Sequence, residues 1–189
     1  QINPRSVDIR VLTSIGNCHR KLKTFKEGLQ YFLLALEKDK NNFFALFGAA
    51  DCHRGLQQYA RSLEYWLKIL EHDPENKVIL TRAGDAYRVL KDYDRAAACY
   101  QKALSISFDY YAVLGLVAIH KDHGEYTQAL EKLEELIAKD RTNSRLHIEA
   151  AKCYLEQGYK NKAAQVLRDF LNRGLNNAYI KNMLDEIEG

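Results

Sequence analysis

Cys18-His19 and Cys52-His53 are the side chains of this sequence best suited by type to chemistry. Cysteine and histidine together bind zinc, and a neighbouring base can activate a thiol as a nucleophile. Both roles need the two side chains to converge. On a helix, successive side chains point about 100° apart, so one such dipeptide does not close on one ion. Spacing argues the same way. Cys18, Cys52 and Cys153 fall in one recurring column shared with Ala86 and Ile119, and His19, His53 and His120 fall in the next, shared with Tyr87 and Tyr154. Residues that trade with Ala, Ile and Tyr are expected to pack, with free cysteine acting as a small buried hydrophobe. Cys99 matches no ligand spacing. Paired carboxylates such as Glu134-Glu135 read as solvated helical ground. The sequence holds no phosphate-cradling glycine loop, nucleophile elbow or HExxH helix. The expectation is no catalytic residue, no metal and no cofactor: the chain is not an enzyme.

The elements behind those columns come from self-similarity. Small residues recur at Gly16, Ala50, Gly84, Val117 and Ala151, in steps of 34, 34, 33 and 34. Gly28, Ser62, Ala96, Ala129 and Ala163 keep the same steps. Four residues later stand Phe32, Trp66, Tyr100, Leu133 and Leu167. Three beyond these come Ala35, Ile69, Ala103, Leu136 and Phe170. Apolar residues at helical spacing, as in Leu63, Trp66, Leu67 and Leu70, make each repeat two helices. First helices are predicted over 9–22, 43–56, 77–90, 110–122 and 144–157. Second helices are predicted over 25–38, 59–72, 93–106, 126–139 and 160–173. Small columns let helix axes approach, and bulky columns fill the space between successive hairpins.

Composition agrees. The 189 residues are 47% hydrophobic and 28% charged, with 2 prolines and 10 glycines, which suits helices joined by short turns. A net charge of +3, with no basic run, argues against nucleic acid as a partner. No apolar stretch is long enough for membrane insertion. Four scattered cysteines suggest no disulfide framework, so a reducing compartment, the cytoplasm, is expected.

Gly84-Asp85-Ala86-Tyr87, Asp92-Tyr93-Asp94-Arg95-Ala96 and Tyr100-Gln101-Lys102-Ala103-Leu104 closely resemble the tetratricopeptide consensus, and Asp73-Pro74 resembles its closing dipeptide. The resemblance covers nearly the whole chain. It implies an all-α fold: an α-solenoid, a right-handed superhelix of antiparallel helical hairpins, with about five units plus a C-terminal helix. The units are 9–42, 43–76, 77–109, 110–143 and 144–175. Residues 1–8, with Ile2-Asn3-Pro4, read as the end of a preceding repeat, so that the sequence, opening on Gln1, is cut from a longer array. Residues 176–189 read as a capping helix with Ala178, Ile180, Met183, Leu184 and Ile187 on its apolar side.

The resemblance also implies where ligands bind: in the concave groove lined by first helices. The partner-binding positions are then Asn17 and Arg20; Phe44, Phe47, Asp51 and Arg54; Thr81, Asp85 and Arg88; Tyr111, Leu114 and Lys121; and Lys152. Arg20, Arg54, Arg88 and Lys121 form a basic ladder with one rung per repeat. Asp51 and Asp85 precede two rungs by three residues and can pair with them, so the ladder reads either as an intra-groove salt-bridge network or as arginines that recognise acidic or carbonyl groups of a peptide. Chaperone-binding relatives grip a C-terminal carboxylate with a five-residue clamp. Asn17 and Arg82 match it, but Thr13, Gly48 and Val78 stand at the other three places, which excludes that clamp. The implied function is a non-catalytic scaffold or adaptor holding a partner peptide or helix. The second reading is an arm of a larger enzyme or regulator that docks substrates or mediates self-association.

Overall fold

Short polar side chains start the helices. Asp8, Asn42, Asn76, Asp92 and Asn177 each accept a hydrogen bond from a main-chain N–H in the turn they open, at 2.7–3.3 Å. Such caps supply acceptors for N–H groups that have no partner inside the helix. Asp109 does the same for Tyr111 and Ala112. The result, a computed structural model that describes residues 7–189, has eleven helices and no strand among those residues. They are α1 (Ile9–Lys21), α2 (Phe25–Lys38), α3 (Phe43–Gly55), α4 (Tyr59–His72), α5 (Lys77–Val89), α6 (Tyr93–Ile106), α7 (Tyr110–Asp122), α8 (Tyr126–Lys139), α9 (Ser144–Glu156), α10 (Lys160–Leu171) and α11 (Ala178–Glu188). Each starts or ends within about two residues of its sequence-based span. Ile2-Asn3-Pro4 lies outside the described residues.

The turn inside each hairpin repeats one backbone device. Lys23, Gln57, Lys91, Gly124 and Gly158 share one column, and all take φ between 60° and 78°. Three of these are not glycine, so the first three turns hold an L side chain in the left-handed region. Histidine braces the same turns. The Nδ1 atoms of His19, His53 and His120 lie 2.9, 2.7 and 2.7 Å from Thr24 Oγ1, Gln58 Oε1 and Glu125 Oε2, each five residues on. His19 and His53 also stack on Tyr31 and Tyr65.

The chain divides into two units, Gln1–Ala112 and Val113–Gly189, with the division inside α7. In unit 1 the bulky residues Phe32, Trp66 and Tyr100 are wholly buried. A Cβ on Gly16 or Gly48 would lie 2.9 or 2.2 Å from the Phe32 ring, and one on Gly84 would lie 2.7 Å from Tyr100. Glycine is therefore what lets these rings seat against a helix backbone. Ser62 Oγ donates to the Ala50 carbonyl at 2.8 Å and joins the two small columns. In unit 2, Ala163, Leu167 and Phe170 of α10 pack with Ile180 and Leu184 of α11. That contact uses the apolar side of α11, and Lys181, Asp185 and Glu188 are exposed.

Candidate partner-binding site

Asp51 organises the first-helix face of unit 1. It is 5% exposed. Arg20 of α1 donates through Nη1 to Asp51 Oδ2 at 2.6 Å. Arg54, one turn along α3, donates to Oδ1 through Nε and Nη2 at 3.1 and 3.0 Å. Arg82 of α5 brings Nη1 to 3.8 Å of the same oxygen. One carboxylate thus gathers arginines from three successive hairpins. Arg20 is held further by Asn17, whose Oδ1 accepts from its Nε at 3.2 Å, and its guanidinium lies 5.9 Å from the centre of the Phe47 ring. Phe47 in turn packs edge-on against Trp66 at 5.1 Å.

Asp85 has a different setting. Tyr100, from the second helix of its own hairpin, donates its hydroxyl to Asp85 Oδ1 at 2.8 Å. Burial pushes the Asp85 carboxyl above its usual range; the Tyr100 hydroxyl and the charges of Arg88, Arg82 and Arg54 pull it back only in part. Burial and the Asp85 charge raise the Tyr100 phenol as well. Asp51 is thus buried among the arginines, and Asp85 is half-buried beside them. Thr81 is buried and donates its hydroxyl to the Lys77 carbonyl, so it serves its own helix.

Alongside the arginines runs an apolar row. Phe44, Val78 and Tyr111 occupy one repeat column and are 65%, 52% and 69% exposed. Val78 and Tyr111 line a hollow of about 500 Å³ together with Thr81, Arg82, Asp85 and Asp109. Lys77 borders it and is tied to Ser107 Oγ at 3.0 Å and the Phe108 carbonyl at 3.2 Å.

Unit 2 carries its own smaller arrangement. Glu149 accepts from Lys121 of α7 and lies 3.6 Å from Lys152, three residues along α9. Burial pushes the Glu149 carboxyl up, but the hydrogen bond and charge of Lys121, with Lys152 beside it, outweigh burial and hold it below its usual range. Leu114, Val117, Lys121, Arg145 and Glu149 line a hollow of about 190 Å³.

Sequence reading noted Arg82 only as a match to the excluded clamp and left it out of the groove set, and it missed Glu149. Both stand in the column of Ser14, Gly48 and Gly115, outside the expected groove set. A long charged residue in a column of small ones was the available signal. The cysteine column divides: Cys52 and Cys153 are buried, but Cys18 is exposed. Cys52 Sγ would lie 3.3 Å from a Cβ on Gly28 of the preceding hairpin. Burial raises the Cys52 thiol to about 11, and burial also raises Cys99 and Cys153, away from thiolate character. Among the described residues no three His, Cys, Asp or Glu side chains cluster as a metal site, and no helix is long and apolar enough to cross a membrane.

These hairpins with knob-and-glycine packing define an all-α helical-hairpin solenoid. Two tetratricopeptide repeat models match, over residues 78–110 and 121–187, together more than half of the chain. The chain belongs to the tetratricopeptide repeat family, whose fold supports protein–protein interaction. Among solved structures it is similar to the MamA protein, with a TM-score of 0.75 and 19% identity, covering 87% of this chain and 90% of that one. It is also similar to a tetratricopeptide repeat protein from Parabacteroides merdae, with a TM-score of 0.74 and 20% identity over 96% of this chain and 84% of that one. A third similar structure is YrrB, described as a TPR protein with an unusual peptide-binding site, with a TM-score of 0.68 and 19% identity over 87% and 86% of the two chains. No curated protein matches it in sequence.

Proposed function

We propose that the chain is a non-catalytic interaction scaffold that holds a peptide or helix of a partner protein on the first-helix face of unit 1. The observation that carries this is the exposed row Phe44, Val78 and Tyr111 beside the arginines gathered over Asp51. Exposed aromatic and arginine side chains are those that interfaces use as anchors. The repeats divide as 9–42, 43–76, 77–109, 110–143 and 144–175, and in unit 2, taken by itself, the binding positions are Leu114, Lys121 and Lys152. The peptide-binding description of YrrB, a protein of the same fold, agrees with this reading. Membership in a longer enzyme or regulator would keep the same face as its docking arm.

Peptides selected by the intact chain from a random display library test the proposal. They should shift the amide resonances of α1, α3 and α5, and Arg54→Ala with Arg88→Ala should weaken them by about 2 kcal/mol or more where the contacts are desolvated. Selected peptides that bind this variant as tightly as wild type, and are lost instead on charge reversal at the exposed Lys102, would place the site elsewhere.

A further inference from the structure

We infer that a partner side chain seated in the hollow beside Tyr111 drives a proton onto Asp85, so that this face holds its partner more tightly as the medium turns acidic. The device rests on the reading above and regulates that same site.

Asp85 is a half-buried carboxyl on a cavity wall. It lines the hollow of about 500 Å³ together with Val78, Thr81, Arg82 and Tyr111. Its Oδ1 accepts from the hydroxyl of Tyr100 at 2.8 Å, and Tyr100 is wholly buried. Where Asp51 is met by the guanidiniums of Arg20 and Arg54, Asp85 Oδ1 is met by a neutral phenol. Arg54 of α3, Arg82 and Arg88 of its own helix and the Tyr100 hydroxyl of α6 all favour its ionised form. Burial outweighs the four together. Among the described residues α4, which also packs on α5, supplies none of these influences. Asp109, at the turn into α7, and Lys77, at the start of α5, also line the hollow, one of each sign. Asp109 Oδ1 accepts from the N–H groups of Tyr111 and Ala112, and Lys77 is held by Ser107 and the Phe108 carbonyl.

A side chain seated in the hollow displaces water from this carboxyl, and loss of water disfavours the charged form. The same loss strengthens the pull of the arginines. Two of the three are shared, however: Arg54 donates to Asp51 through Nε and Nη2, and Arg82 lies 3.8 Å from Asp51 Oδ1. Burial therefore keeps the upper hand, and Asp85 gains proton affinity in the complex. A neutral Asp85 keeps its bond to Tyr100, because Oδ1 still accepts while Oδ2 carries the proton. Proton uptake and binding are then linked. Affinity is lowest where Asp85 is ionised in both states. It rises as pH falls through the value of Asp85 in the complex, and levels off below its value in the free chain.

The test uses the whole chain and peptides displayed without Asp, Glu, His or Cys, then synthesised with blocked termini, so that the ligand itself does not titrate. Peptides weakened by Tyr111→Ser are kept, which places them on the hollow. Titration calorimetry between about pH 7.5 and about pH 5, in buffers of different ionisation enthalpy, reads affinity and protons bound. Affinity should rise at least about threefold toward the acid end, with uptake of a fraction of one proton. Asp85→Asn, neutral throughout, should bind with an affinity independent of pH and take up no proton. Tyr100→Phe removes a donor that favours the ionised carboxyl, so it should move the profile to higher pH. Circular dichroism melts at both ends of the range establish that each variant is folded. Affinity that is flat with pH, or that falls in acid, overturns the inference. So does a dependence that survives in Asp85→Asn, because another group then carries the proton. In each of these cases peptides that still need Tyr111 leave the proposed face standing. A library that yields no peptide sensitive to Tyr111→Ser overturns the inference too, and the face itself is then judged by the random library above.

Discussion

Gly48→Ala puts the packing between the first two hairpins to a severe test. The added methyl carbon would lie 2.2 Å from both Cε1 and Cζ of Phe32, and 2.5 Å from Cε2. Carbon atoms pack at about 3.5–4.0 Å, so the ring would have to retreat by more than about 1 Å. It has nowhere to go. Phe32 is 0% exposed, and a methyl on Gly16, on the other first helix it touches, would already be 2.9 Å away. Overpacking of this kind costs about 1–3 kcal/mol, occasionally more. The gain in helix propensity from glycine to alanine returns about 1 kcal/mol. The 2.2 Å approach puts this site at the upper end of that range, about 3 kcal/mol, so a net loss of about 2 kcal/mol is expected in urea melts, with faster hydrogen exchange at the amides of α2 and α3. Gly84→Ala, which would meet Tyr100 at 2.7 Å, should lose less. Phe32→Leu alone leaves a void and destabilises; combined with Gly48→Ala it frees space for the methyl, so the double variant should be more stable than the sum of singles by at least about 1 kcal/mol. Additive losses, or a Gly48→Ala chain as stable as wild type, would show that the Phe32 ring does not seat on α3.

Three further outcomes follow from the site and the turns. Asp51→Asn should cost about 2–3 kcal/mol in urea melts, nearly all from the buried bond to Arg20, because half-exposed Arg54 adds only about 0–1 kcal/mol; a loss below about 0.5 kcal/mol would remove Asp51 from its organising role. Lys91→Gly should raise stability by about 0.5–1 kcal/mol by relieving its φ of 62°, and Gly124→Ala, at φ 74° in the same column, should lower it in the same melts. The two acids should act oppositely with pH. Glu149, held low when folded, contributes stability present above its unfolded value of 4.5 and lost as pH falls through its folded value, so Glu149→Gln should be less stable than wild type at pH 7 and converge with it in acid. Asp85, held high, binds its proton more readily when folded, so its contribution grows as pH falls through the folded value toward 3.8; Asp85→Asn should be at least as stable as wild type at pH 7 and lack that gain.

Helix positions and core columns were legible before any coordinates, because they depend on local rules. Gly16 with Phe32 and Gly84 with Tyr100 are the same pair two steps of 34 apart, and a recurring small residue facing a recurring bulky one has a physical reading only as close helix packing. The pairing of Asp51 with Arg54 was legible for the same reason, being one helical turn apart. The tertiary structure alone decided that Asp51 also holds Arg20, 31 residues away in sequence, and reaches Arg82, 31 residues in the other direction. It also decided that Asp85, in the same repeat column as Asp51, is met by Tyr100. Equal columns diverged because the partner of a groove side chain is set by the neighbouring hairpin: where Arg82 stands in α5, α3 has Gly48 and α9 has Glu149. Periodicity specifies which way a side chain leaves its own helix. What it then meets depends on how the next hairpin is set against it, as the different partners of Asp51 and Asp85 show.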